Sequence, residues 1–342
     1  MTAPAPGAAT RRWAVPLALL GLVVVAVTIS LCVGARTTGL PTVLTALLDP
    51  ASLGRDSADV VVVRDLRVPR TVVGLLAGAA LGLAGVVMQG VTRNPVADPG
   101  LLGVNAGAAF AVVLAISVVG VGSAVELAGF ALLGALAAAS LIAVIATSAR
   151  AGAAPAILVV AGAAVTAGLT SLTTLVLLGD PAALDRYRLW TVGSLAGRDL
   201  DLASSLAPLQ LVGAVGALAL ARALDALALG DDVARGLGFR PVPTRAAAVG
   251  AVVVLCGTAT ALAGPLVFVG LLGAHGARAL VGGRHLRLLP VAAVLGASLV
   301  VLADSLGRVV VPPGELEVGI VVAAVGAPLL IALVRSGRAA GL

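Results

Sequence analysis

Few residue types in this 342-residue chain are equipped for chemistry, and the absences narrow the field first. All 22 basic residues are arginine, so no lysine can sit on nucleotide phosphates in a G-x-x-x-x-G-K-[ST] loop. Lysine Schiff-base chemistry is excluded for the same reason. Two histidines, His275 and His285, are too few to build a metal cluster, and no metal or cofactor is expected in the chain itself. Cys32 and Cys256 sit in apolar runs and read as buried small hydrophobes. What remains is recognition chemistry. Guanidinium forks grip carboxylates, and Arg67, Arg70 and Arg308 stand near Asp65 and Asp304. Asp231 and Asp232 are followed by Arg235. A polar turn over 93–100 carries Arg93, Asn94, Pro95, Asp98 and Pro99 between two apolar runs.

The elements that must position these groups are membrane helices. Hydrophobic residues make up 60% of the chain and charged residues 11%, against about 25% charged in soluble domains. At about 20 apolar residues per crossing, spans fall near 14–33, 70–91, 101–119, 125–148, 154–178, 202–222, 244–263, 266–281, 287–307 and 318–335. The sequence thus predicts an all-α integral membrane protein of about ten transmembrane helices, the third and eighth short or interrupted. The first run is too long for a signal peptide's core and reads as a retained span. A tail at 1–13, one transmembrane domain at 14–335 and a tail at 336–342 complete the organisation.

Charge sets the orientation. With the N-terminus inside, the inner segments hold 13 Arg and 4 acids, a balance of +9, and the outer ones hold 9 Arg and 12 acids, a balance of −3. The positive-inside rule then places both termini in the cytoplasm. The basic excess reports topology, and no nucleic-acid partner is implied. Two prolines forbid a continuous helix through 93–100, so that turn is expected at the inner membrane surface, shaping the inner face or gate through Arg93 and Asp98. An internal match, GAALGLAG at 78–85 and GTATALAG at 257–264, has a constant offset of 179 and falls in spans of opposite direction. Such pairing marks inverted-topology transporters. Few charges lie deep in the spans, so the energy source is expected outside the chain.

Five stretches then resemble the FecCD family of ABC-transporter permeases. They are LRVPR at 66–70, GVVMQGVTRNPVADPGLLGVNAG at 85–107, WTVGSLAG at 190–197, LALGDDVARGLG at 227–238, and FVGLLGAHGAR at 268–278 with GIVVAAVGAP at 319–328. The resemblance implies a type II ABC importer permease in the cell inner membrane, itself non-catalytic. ATP and Mg would be bound by separate ATPase subunits. A second permease copy or a sister permease and an extracytoplasmic substrate-binding protein would complete the assembly. Iron(III)–siderophore is the expected cargo, with cobalamin and haem as alternatives; an ion-coupled secondary carrier is the rival class.

The resemblance also places roles. The loop at 223–245 would dock the ATPase, with 226–237 as its first helix and Ala226, Leu229, Gly230, Asp231, Asp232, Arg235 and Leu237 as contacts. A solvated loop is the plainer reading. Arg67, Arg70 and Arg308 would receive acidic residues of the binding protein, or else pair with Asp65 or Asp304. The fifth span would line the pathway with Gly162, Thr166, Ser171, Thr173 and Thr174, unless those hydroxyls only satisfy backbone. Two departures stand out: Ala274 where the family has proline, read as the loss of a constraint at a helix start, and Glu317 where it again has proline.

Overall fold

The computed structural model describes residues 8–54, 56–147, 154–311 and 314–335, and every regular element among them is helical. α1 (Ala8–Cys32) is followed by the short α2 (Leu40–Leu48), α3 (Pro50–Leu53) and α4 (Ala58–Val61). A π-helical stretch, Val62–Arg67, joins α4 to α5 (Val68–Thr92), giving one apolar helix of 35 residues from Ala58 to Thr92. A 3-10 turn (Pro99–Leu102) leads to α6 (Val104–Leu114), which ends in the π-helical Ala115–Val119. Then come α7 (Ala124–Thr147), α8 (Ala154–Gly179) and α9 (Pro181–Thr191). The second half holds α10 (Leu200–Ala219), α11 (Ala221–Ala228), α12 (Asp231–Gly236), α13 (Pro241–Ala263), α14 (Val269–Val281), α15 (His285–Val310) and α16 (Val318–Arg335).

Seven of these helices are long and apolar enough to cross a membrane. Three shorter apolar ones, Val104–Val119, Val269–Val281 and Val318–Ala332, bring the described set to the ten expected. The second span begins earlier than its apolar run suggested, because Ser57 caps α4 by accepting the Val60 N–H and the helix continues through Arg64, Asp65 and Arg67. Proline tolerates the first helical turn, where its missing N–H would have no partner. Accordingly Pro241 opens α13, whereas Pro69 lies inside the continuous helix, directly after its π-helical stretch.

The core is a seam of small residues, where close backbone approach replaces the hydrophobic drive that lipid removes. A Cβ on Gly78 would fall 2.3 Å from the Gly296 carbonyl oxygen, and one on Gly82 would fall 2.1 Å from that of Ala292. One on Gly85 would meet the Gly270 oxygen at 2.2 Å. α5 is therefore locked along α15 and α14. The inverted repeat reappears in this packing: α5 packs on α14 and α15, and α13 packs on α6 and α7. α6 pairs with α7 as α14 pairs with α15. α13 starts where α5 ends, so the two units run in opposite directions.

Both short spans have one cause. After Thr92 the chain climbs back into the bundle before α6 begins, so that Pro99 lies against Gly270, which itself packs on Gly85 and the Leu81 carbonyl. Gly85 lies one and a half to two turns before the end of α5, about 10 Å along its axis. On the repeat side the chain re-enters after Gly264 (φ 75°) and α14 starts only at Val269, behind Phe268 in a left-handed conformation (φ 65°). Each unit thus contains an unwound stretch feeding a half-length helix.

Candidate functional site

At the end of the bundle that holds Arg93, three elements converge on one carboxylate. Arg93 terminates α5 in the left-handed conformation (φ 51°), which aims its side chain back over α11. Its Nε donates to the Leu227 carbonyl at 2.7 Å and its terminal nitrogen donates to Asp231. Arg245, one turn into α13, donates to both Asp231 oxygens at 2.9 and 2.6 Å. These donors, Arg245 first, hold the Asp231 carboxyl down at about 2, overcoming the opposing effect of burial, which outweighs the Arg93 hydrogen bond alone. Asp225 on α11 accepts from the His285 backbone N–H at 2.9 Å and contacts its Nδ1 at 2.6 Å, fixing α11 to the start of α15.

The single helix expected over 226–237 is two. Gly230, at φ 114° and ψ 155°, breaks it after Leu229, because only glycine takes that backbone without strain. Within α11, Ala226 and Leu227 face inward and are buried. Beyond it the surface is apolar and bare: Leu229 is 66% exposed, Leu237 59% and Val242 69%. Asp232 and Arg235 flank it as an exposed pair at 2.6 Å. The expected contact set therefore divides. Leu229, Asp232, Arg235 and Leu237 face outward, whereas Ala226 and Asp231 hold the platform together.

The polar turn divides as well. Arg93 belongs to this platform, and Asn94 folds the turn by accepting the Val96 N–H at 3.0 Å. Pro99 is buried and Asp98 is partly buried. Asp98 accepts the Gly100 N–H at 2.9 Å and the backbone N–H of Phe268, so one carboxylate joins the two re-entrant stretches. The backbone had to go somewhere after two prolines, and the half-length α6 leaves it room inside.

At the opposite end, Arg67, Arg70, Arg308 and Glu315 line a cleft of about 190 Å³ with Arg36 and Leu66. The arginines are not free guanidinium groups. Arg67 is buried and donates to the carbonyls of Leu31 (2.6 Å) and Arg36 and to Thr38 Oγ1. Arg308 is buried too and donates to the carbonyls of Ser30 (3.0 Å) and Val33 (3.2 Å). Together they cap the C-terminal end of α1, whose last carbonyls have no helical partner and carry the negative end of its dipole. Arg70 bridges Asp304 at 2.9 Å and Glu315 at 2.8 Å, and Arg308 reaches Asp304 at 3.1 Å. Pairing with Asp304 is thus the arrangement of Arg70 and Arg308; Arg67 pairs with carbonyls, and Asp65 points to solvent.

On α8, Gly162 and Thr173 turn inward and Thr166 is half-buried, while Ser171 and Thr174 lie on the bare face. The hydroxyls of Ser171, Thr173 and Thr174 all bond the carbonyl four residues back, at 2.8 to 2.9 Å. That face also carries Ala163, Ala164, Ala167 and Thr170, small for a surface turned to lipid. Ala274 lies inside α14, buried, and not at a helix start. Glu317 begins α16, its carbonyl accepting from Ile320 at 3.0 Å.

Arg245, Glu315 and Val242 were not singled out by sequence. Arg245 lies 14 residues from Asp231, beyond any helical spacing. A signal did exist for the re-entrant stretches: Gly-Leu-Leu-Gly recurs at 100–103 and 270–273, at the start of both half-length helices.

Known proteins share the family and the fold of this chain. The FecCD transport family matches residues 22–336. The chain is 46% identical over 329 residues to the ferric enterobactin transport system permease protein FepD of Escherichia coli (strain K12), covering 96% of each chain. It is 34% identical over 329 residues to the probable siderophore transport system permease protein YfiZ of Bacillus subtilis (strain 168), covering 96% of this chain and 98% of that one. Its fold resembles a solved inward-facing structure described as a metal-chelate type ABC transporter, with a TM-score of 0.82 and 28% identity over 94% of this chain and 98% of that one.

Proposed function

The chain belongs to the FecCD transport family, and from that premise we propose that it is the membrane-spanning permease subunit of an ATP-driven importer of iron(III)–siderophore complexes. The observation that carries the mechanism is the bare apolar surface of Leu229 and Leu237, between the spans, continued by Val242 at the start of α13 and braced from behind by Asp231. An exposed apolar patch with a charged rim fits a protein partner. Here that partner is an ATPase subunit, which binds ATP and Mg; the permease catalyses nothing. The charge asymmetry of the sequence supports placing this end, and both termini, in the cytoplasm.

The cleft at the other end receives the extracytoplasmic binding protein. Arg67 and Arg308 build its floor, and Arg70 is the guanidinium that a partner carboxylate reaches by displacing the half-exposed Glu315. A second copy, or a sister permease, covers the small-residue face of α8, and Thr166, Ser171 and Thr174 border the pathway between them. One transmembrane domain over 14–335 performs the whole task, with 223–245 as its coupling loop. The iron-chelate cargo rests on the relatives named above.

The test is uptake into vesicles holding permease, ATPase and binding protein, with ferric enterobactin, ferric citrate, a ferric hydroxamate, cobalamin and haem offered separately. Uptake of a ferric siderophore alone supports the reading. Uptake of cobalamin or haem alone overturns the cargo.

A further inference from the structure

α5 and its π-helical and α4 extension form one rod with an arginine contact at each end. Arg67 and Arg70 line the cleft near one end, and Arg93 meets Asp231 at the other. The 26 residues from Arg67 to Arg93 span about 39 Å of helix, the thickness of the bilayer with its headgroups. The glycine seam locks the rod to α15, with Gly78 and Gly82 in backbone contact with Gly296 and Ala292. The seam holds α5 and α15 together as one packed unit. A π-helical segment, Val62–Arg67, lies where the rod enters the cleft, and such segments are frequent at functional sites.

The inner end of the rod packs on α11 and is also joined to the elements beside the apolar surface by polar bonds. Arg93 holds the Leu227 carbonyl and the Asp231 carboxylate, and Asp231 in turn takes both terminal nitrogens of Arg245. Behind Leu229 the chain turns sharply at Gly230. Without the carboxylate, α12 would keep its packing through Ala234 and on α11 but lose its bonds to Arg93 and Arg245. Arg245 would then face Arg93 with no anion between them.

We propose that Asp231 is a positioning residue: the joint through which displacement of α5 at the cleft is delivered to the ATPase-facing surface. This rests on the ATPase-docking reading above. It assigns α5 the task of transmitting the state of one end to the other. Docking itself stays with the exposed leucines.

The experiment uses the complete complex in nanodiscs, with wild type, Asp231→Asn, Arg245→Gln and Asp231→Glu compared. The readout is the ratio of ATP hydrolysis with binding protein added to hydrolysis without it, alongside co-purification of the ATPase subunit. The expected result is that the ratio falls about threefold or more in Asp231→Asn and Arg245→Gln, that Asp231→Glu recovers most of it, and that the ATPase subunit still co-purifies. An unchanged ratio in both charge-removing variants overturns the proposal. So does loss of co-purification, which would make Asp231 a docking residue, and so does loss of the fold in all three variants, which would make it structural. A wild-type complex that shows no ATP-dependent uptake would instead overturn the importer reading, and the two failures are therefore distinct.

Discussion

Arg93 and Asp231 stand 138 residues apart in the chain and are bonded side chain to side chain. One ends a deeply packed helix of the bundle, and the other opens the short helix next to the exposed Leu229 and Leu237. Arg245 completes the group from α13, so the two halves of the inverted repeat meet at this carboxylate. The consequences are measurable.

The clamp is insensitive to physiological pH. The folded-state carboxyl of Asp231 is depressed from 3.8 to about 2, so its stabilisation is fully present above the unfolded value and is lost as pH falls through the folded one. Asp231→Asn should therefore lower the thermal midpoint equally at about pH 5 and about pH 8. A penalty that disappears at the lower pH would contradict the pairing.

Leu229→Asp with Leu237→Asp places two charges on the bare surface. Both side chains are exposed, at 66% and 59%, so the fold and thermal midpoint should hold within about 0.5 kcal/mol. Co-purification of the ATPase subunit should fall at least tenfold. Undiminished association would move the docking surface elsewhere.

Gly82→Leu drives a side chain into the Ala292 carbonyl, only 2.1 Å from where its Cβ would stand. Overpacking of this kind costs about 1–3 kcal/mol or more, and the thermal midpoint in detergent should drop. Gly21→Leu, with nothing within 4 Å, is the control and should leave it unchanged. Equal effects would mean that the seam is not where α5 is held.

Two substitutions separate structure from docking at the cleft. Arg308→Gln removes a buried partner from Asp304 and uncaps α1, at a cost of about 3–5 kcal/mol, so expression and thermal midpoint should both fall. Glu315→Gln, on a carboxylate 37% exposed, should leave stability nearly unchanged and alter only affinity for the binding protein. That affinity is read by surface-immobilised nanodiscs. A stable Arg308→Gln permease with weakened docking would restore a direct partner contact to Arg308.

The helices were legible because apolar length is a local property of sequence: the run Pro241–Ala263 announces itself. So was the repeat, through Gly78, Gly85, Gly257 and Gly264. The start of the second span was hidden, since Arg64, Asp65 and Arg67 look like a loop until their helical path is seen. The destination of Asp98 was hidden too. A carboxylate beside two prolines reads as a surface turn, and its partial burial is matched by the backbone N–H groups of Gly100 and, far along the chain, Phe268. Arg67 and Arg308 illustrate the same limit. Their type announced recognition of oxygen atoms, but the oxygens proved to be the carbonyls at the end of α1.

The most direct measurement is uptake of radiolabelled ferric enterobactin into vesicles containing permease and binding protein, with and without the ATPase subunit and internal ATP. Accumulation that requires both ATPase and ATP, and is indifferent to an imposed proton or sodium gradient, is the predicted result. Accumulation driven by such a gradient in vesicles lacking the ATPase would contradict it.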